Sequence, residues 1–140
     1  MRYMLDTNVC IHVIKKKSPQ VIMNFLKHDP EDMCISSITY GELMHGVEKS
    51  QAVDRNRAAV TLFLSAIAIL PFDGRAAEHY GEVRAELERK GTPIGAMDML
   101  IAGHAKSLGL ILVTNNTREF VRVEDLEIED WTKEASVREN

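Results

Sequence analysis

The chain has 140 residues, 45% apolar and 27% charged, a balance that suits one folded domain with its own core and excludes a disordered chain. No apolar run reaches the roughly 18 residues of a membrane span, and no secretion signal follows the first residues, so the expected compartment is the cytoplasm. Net charge is −4, and the excess sits at one end: residues 1–110 carry 13 basic and 13 acidic side chains, residues 111–140 four and eight. A neutral body with an acidic end excludes a generic nucleic-acid binder and leaves any polyanion to local basic patches.

In chain order, residues 2–5 read as a short apolar strand. Residues 8–16 read as a short helix with Val9 and Val13 on one side and Ile11 and Ile14 on another, which predicts burial on more than one face. Lys15, Lys16 and Lys17 close it, either as a solvated helix end or as a phosphate contact. Ser18-Pro19 is a cap followed by proline at the first helical position, and Val21, Ile22, Phe25 and Leu26 follow at helical spacing. Residues 32–36 form a second strand. Ser37 or Thr39 opens the next helix, which runs to about Lys49. Residues 55–66 are helical, with Val60, Phe63, Leu64 and Ile67 on one face. Residues 68–72 form a third strand, ended by Pro71 and Asp73-Gly74. Residues 74–90 make the strongest helix, with Ala76, Tyr80, Val83 and Leu87 as its apolar stripe. Gly91-Thr92-Pro93 breaks it. Residues 95–108 form another helix, closed by Gly109. Residues 110–114 are a buried strand and 126–131 an edge strand. Residues 1–131 form the domain, and residues 132–140 are expected to fray as a tail.

Strands separated by helices predict an α/β fold: one domain with a central parallel sheet of about four to five strands flanked by helices. Such sheets keep their sites at the carboxyl ends of the strands. Four polar residues fall on that edge. Asp6 directly follows the first strand, and Glu42 lies in the first turns of the helix after the second. Asp98 lies in the first turn of the helix before the fourth strand, and Asn116 follows that strand. Clustered carboxylates repel unless a cation neutralises them, and an all-oxygen set suits Mg²⁺ or Mn²⁺, which promote phosphoryl transfer. Each residue also has a plain structural use: Asp6 as a helix cap, Glu42 in a capping box with Thr39, Asp98 against the helix dipole and Asn116 in a turn. Cys10 and Cys34 form no metal or redox motif. The histidines show no metal-binding spacing, and His104, nearly two turns after Asp98, reads as structural.

Four segments carry a resemblance: Met4-Leu5-Asp6-Thr7-Asn8; Ile38-Thr39-Tyr40-Gly41-Glu42-Leu43; Asp98-Met99-Leu100-Ile101-Ala102-Gly103-His104-Ala105; and Leu112-Val113-Thr114-Asn115-Asn116-Thr117-Arg118-Glu119-Phe120. In this order and spacing they resemble the PIN-domain ribonucleases, in particular the VapC toxins of toxin–antitoxin modules. The resemblance implies a Mg²⁺- or Mn²⁺-dependent endoribonuclease that inhibits translation, with transfer RNA as the leading substrate. It also implies a VapB-type antitoxin as partner and a homodimer. It makes Asp6, Glu42 and Asp98 the metal-binding, catalytic acids and puts the hydroxyls of Thr7 and Thr114 beside them. The family often carries a fourth acid where this chain has Asn116, so a second metal is in question. Glu119, one turn later, is a candidate substitute, and Arg118 and Arg122 are candidate RNA contacts.

Two competing readings remain open. A haloacid-type phosphatase would need a second Asp two residues after Asp6, where this chain has Asn8. A catalytically silent PIN-like module that binds RNA or protein is the alternative from another class. Phosphate-loop ATPases and Rossmann dehydrogenases are excluded by the missing glycine fingerprints.

Overall fold

In a computed structural model that describes residues 1–134, the first strand, β1 (Tyr3–Leu5), is buried along its whole length. It lies at the centre of a five-stranded sheet of order β3-β2-β1-β4-β5, parallel throughout. The partners are β2 (Met33–Ser36), β3 (Ala68–Leu70), β4 (Ile111–Val113) and β5 (Ile128–Glu129). A strand flanked by neighbours and covered on both faces needs apolar residues at every position rather than at alternate ones. β1 and β4 satisfy this, and β2 does so up to Ser36, its buried polar last residue. β3 and β5 close the two edges and are correspondingly more exposed.

The helices are α1 (Thr7–Ile14), α2 (Pro19–Leu26), α3 (Ser37–Glu48), α4 (Val53–Phe63), α5 (Gly74–Arg89), α6 (Ala96–Leu108) and the single turn α7 (Thr117–Phe120). Side chains pointing to opposite faces of the sheet build two cores. Tyr3, Leu5, Met33, Ile35 and Val113 pack with Val9, Val21, Leu43, Val47 and Val60 of helices α1 to α4. Met4, Cys34 and Leu112 pack with Val83, Leu87, Ile101, Ala102 and Phe120 of α5, α6 and α7. Both cysteines are buried free thiols. No helix among the described residues is long and apolar enough to cross a membrane.

The expected fold class is the observed one, and local chemistry moves several boundaries. Ser18 caps α2, accepting the Val21 N–H, with Pro19 at the first position as expected. α1 begins at Thr7 because Asp6 caps it, and Lys16, at φ 54°, ends the run beyond Ile14. β3 stops at Leu70 before Pro71, which has no N–H to give a neighbouring strand. The helix after β2 opens one residue before the earlier of the two expected caps: Ser36, not Ser37 or Thr39, accepts the Ile38 N–H at 3.0 Å. A 3₁₀ turn at Pro30–Asp32, capped by Asp29, has no counterpart in the predicted elements. Of the expected tail, residues 135–140 lie outside the described residues.

Candidate metal centre

Each strand of the inner sheet hands its chain to a polar residue at the same edge. Past β1, the Asp6 N–H donates to Val113 O at 3.0 Å, so the ladder positions Asp6 one step beyond the sheet. Its carboxylate is only 4% exposed. Oδ1 accepts the Val9 N–H at 2.9 Å, the N-cap bond, and Oδ2 accepts the Thr114 hydroxyl at 2.5 Å. Asp6 is thus the helix cap through one oxygen, while the other faces Thr114 at the strand ends. Thr114, fully buried after β4, also accepts the Asn116 N–H at 3.0 Å and so ties the start of α7 to Asp6.

Glu42 sits in the second turn of α3. With Ser36 as the cap, its carboxylate is free of capping duty, and the Thr7 hydroxyl donates to Oε1 at 2.6 Å. The buried Thr39 hydroxyl lies 3.4 Å from that of Thr7. Asp98 stands in the first turn of α6, whose cap, Gly95, has no side chain to offer. Asn116 caps α7 and turns its amide N–H group to both Glu119 Oε2, at 3.1 Å, and Asp98 Oδ2, at 3.4 Å. Thus Asp6, Thr7, Glu42, Asp98, Thr114, Asn116 and Glu119 meet at one edge, from positions spread over most of the chain.

Electrostatics mark the cluster. Burial raises the pKa of Asp6, with the charge of Glu42 adding to it, while the bonds from Thr114 and Val9 pull it down. Asp98 is pushed up to about 6, first by burial, then by its hydrogen bond with Glu119 and the charges of Glu119, Asp6 and Glu42. Among the described residues no Lys, Arg or His pairs with any of these acids. Nor do three Asp, Glu, His or Cys side chains stand close enough to enclose an ion as a finished cage. The donor chemistry still fits a hard divalent cation. Every candidate ligand is an oxygen, burial and neighbouring acids raise the pKa of Asp6 and Asp98, and Mg²⁺ commonly binds through one or two carboxylates while keeping several waters.

A groove of about 1280 Å³ leads away from Thr7 and Glu42 between α1, α3, α4 and the start of α6. Its floor includes Ile11, Ile14, Leu43 and Leu100, and Lys15, Lys49 and Arg55 line it too. The two expected RNA contacts separate. Arg118 is exposed beside Glu119. Arg122 is not at this edge: it bonds Pro93 O at 3.1 Å and lines a separate hollow with Glu82, Arg89 and Lys106 on the α5–α6 side. The short turn of α7 swings the chain away within one helical turn of Arg118, which is why proximity in sequence misleads there. His104, expected to be structural, lies away from the acids: it is 2% exposed and bonded to Ser36.

A family model of the PIN domain matches residues 3–126. The chain is 52% identical over 132 residues to the tRNA(fMet)-specific endonuclease VapC of Shigella flexneri, covering 94% of this chain and 99% of that protein. It is 42% identical over 134 residues to ribonuclease VapC2 of Rickettsia felis, covering 95% and 100%. Among solved structures, DNA-bound VapBC from Salmonella typhimurium matches with a TM-score of 0.88 at 52% identity, over 94% of this chain and 98% of that one.

Proposed function

Because the chain belongs to the PIN-domain family and, within it, to the VapC ribonucleases, we propose that it is a divalent-metal-dependent endoribonuclease toxin that hydrolyses phosphodiester bonds of transfer RNA and so inhibits translation. The observation that carries the reading is the edge itself. Asp6, Glu42 and Asp98 come from three separate elements, burial and the neighbouring acids raise the proton affinity of Asp6 and Asp98, and among the described residues no cationic side chain pairs with the three. Transfer RNA is supported by relatives named as tRNA(fMet)-specific endonucleases at 52% and 53% identity.

Asp6, Glu42 and Asp98 are the residues that would hold Mg²⁺ or Mn²⁺, and such an ion supplies Lewis acidity to the phosphodiester and lowers the pKa of a water. The chain's own contribution is placement. Thr114 and the Val9 N–H fix both oxygens of Asp6, and Thr7 fixes one oxygen of Glu42. Preset ligands spare the reaction the cost of ordering them. Burial, with Glu119, Asp6 and Glu42 nearby, pushes Asp98 up to about 6, so a cation held there would offset the repulsion among these acids. The partner is a VapB-type antitoxin, supported by solved relatives that are VapBC complexes, and the assembly contains a homodimer of this chain. A partner arginine reaching the acids would replace the ion's charge.

The test uses purified protein stripped with EDTA and incubated with transfer RNA. Cleavage should return on adding Mg²⁺ or Mn²⁺, and Asp6→Asn, Glu42→Gln and Asp98→Asn should each lower it by orders of magnitude while the far-ultraviolet circular dichroism stays unchanged. Undiminished cleavage by Asp6→Asn would overturn the assignment, and an inert wild type would favour the silent binding module.

A further inference from the structure

Helices α3 and α6 each carry one acid of the site, Glu42 and Asp98, and they meet at a buried hydrogen bond of 2.8 Å between Ser36 Oγ and His104 Nδ1. On the nuclease reading above, on which this rests, we infer that His104 is a positioning residue: its bond to Ser36 holds the first turn of α3, and with it Glu42, in fixed relation to Asp98.

The bond's polarity follows from what else Ser36 does. Its oxygen already accepts the Ile38 N–H as the cap of α3. Its own proton then needs an acceptor, and Nδ1 is the one within hydrogen-bonding distance among the described residues. His104 therefore serves as the neutral imidazole with its proton on Nε2. Burial presses its pKa down, against the raising pull of Asp73, and keeps the ring in that neutral form.

A second contact closes the arrangement into a ring. Ser37 Oγ accepts the Phe72 N–H at 3.0 Å, and the Phe72 ring meets His104 edge to face, centroids 5.5 Å apart at 83°. Ser36, His104, Phe72 and Ser37 thus clamp the start of α3 from two sides. On its other flank α6 is pinned by close backbone packing of Gly103 on Tyr80.

Packing alone does not call for this polar pair. The neighbours of His104 on α6, Ile101, Ala102 and Ala105, are buried and apolar, and an imidazole among them costs desolvation that an apolar residue would avoid. What the pair adds is geometry. Glu42 lies about 9 Å of helix beyond Ser36, and Asp98 about 9 Å of helix from His104. A misplacement of about 1 Å in a reacting constellation can cost roughly 100-fold in rate, and a tilt of α3 by about 10° about its first turn shifts Glu42 by more than that.

The experiment compares full-length wild type, His104→Leu, His104→Asn and Ser36→Ala by Mn²⁺ titration calorimetry, steady-state cleavage of transfer RNA and thermal melting. His104→Leu removes the acceptor but keeps the bulk. It should stay folded, bind Mn²⁺ about tenfold more weakly and lose about 10- to 100-fold in kcat with KM unchanged. His104→Asn puts an amide oxygen near the place of Nδ1 and should recover most of both. Ser36→Ala removes this bond and the cap on the Ile38 N–H together, so it should lose at least as much as His104→Leu, and the double variant should be no worse than Ser36→Ala alone, because the shared bond is already gone. A lowered melting temperature with wild-type Mn²⁺ affinity and kcat in His104→Leu overturns the inference and leaves the ring as core. If His104→Leu does not fold, Ser36→Ala decides by the same criteria. A wild type that neither binds Mn²⁺ nor cuts RNA overturns the nuclease reading and this inference together, whereas a working wild type with unmoved variants overturns this inference alone.

Discussion

Asp98 keeps its proton up to about pH 6 in the folded chain, against an ordinary value of 3.8, because burial and the nearby acids disfavour its charge. Between those values the folded state binds more protons than the unfolded one, so this residue's contribution to stability falls as pH rises through that window and is least favourable above it. Asp98→Asn removes the cost. We expect the variant to match wild type in urea denaturation near pH 4 and to gain on it steadily towards pH 7, while cleaving no RNA. Excess Mn²⁺ should close the gap by stabilising wild type alone. A variant less stable than wild type at pH 7 would contradict this account. Asn116 makes the complementary case. Its amide N–H group stands between Glu119 and Asp98, a neutral donor where charge would favour a cation. Asn116→Asp should therefore tighten Mn²⁺ binding about tenfold, near 1.4 kcal/mol, and Glu119→Gln should weaken it by less than loss of Asp6 does, both read by titration calorimetry. These single-residue roles differ in how far the sequence discloses them. Asp6, Glu42, Asp98 and Asn116 are legible because strand ends and helix starts share an edge. The sharing of a hydrogen bond by Asp98 and Glu119 is not, because it depends on how sharply the chain turns after Asn116.

At the scale of elements, α5 and α6 pack so closely that a Cβ on Gly103 would lie 2.6 Å from Tyr80 N and Cα, both backbone atoms that cannot rotate aside. Gly103→Ala should push the helices apart and cost roughly 1–3 kcal/mol, the usual penalty of overpacking. Gly81 on α5 is the control. A Cβ there meets nothing within 4 Å, so Gly81→Ala should stabilise by roughly 0.5–1 kcal/mol through helix propensity alone. Opposite signs for the same chemical change, measured by urea denaturation, would locate the effect in the contact; equal signs would refute it. The amphipathic stripe of α5 was readable, since Ala76, Val83 and Leu87 are buried as their spacing predicts. Its close approach to α6 was not, because a glycine inside a helical pattern shows no more than that a side chain is absent. The cap of α3 was misplaced for a related reason. Ser36, Ser37 and Thr39 are all competent caps, and the choice falls to Ser36 because Ser37 is engaged by the Phe72 N–H and Thr39 turns inward towards Thr7.

Across the whole molecule, parallel strands with helical crossovers bring segments from the two ends of the chain into one sheet, and the same logic governs the molecule's closure. Past β5, among the described residues, a side chain of α2 fastens the chain. Asn24, 2% exposed, donates from Nδ2 to Trp131 O at 2.8 Å and to Lys133 O at 3.0 Å. Trp131 then stacks on His28, centroids 4.4 Å apart at 13°, and meets the edge of Tyr3 at the start of β1. A residue of α2 thus binds the last described turn to the first strand across the core, and only the folded topology makes Asn24 and Trp131 neighbours. Asn24→Ala leaves the buried Trp131 carbonyl oxygen without its donor, while water can reach that of the exposed Lys133, and it opens the gap beside them. Orphaned buried polar groups cost about 1–3 kcal/mol, so the variant should lose about 2 kcal/mol in urea denaturation. Trp131 is the sole tryptophan of the chain and is 3% exposed, so its fluorescence reports this fastening directly. In Asn24→Ala under native conditions the emission should shift to longer wavelength as the indole meets water. Asn24 touches none of Asp6, Glu42 or Asp98, so Mn²⁺ affinity and RNA cleavage should stay at wild-type level below the shifted melting temperature. An unshifted emission with undiminished stability would mean that stacking on His28 and Tyr3 holds the segment without Asn24. A loss of Mn²⁺ affinity would mean that the far end of the sheet is held in place from here.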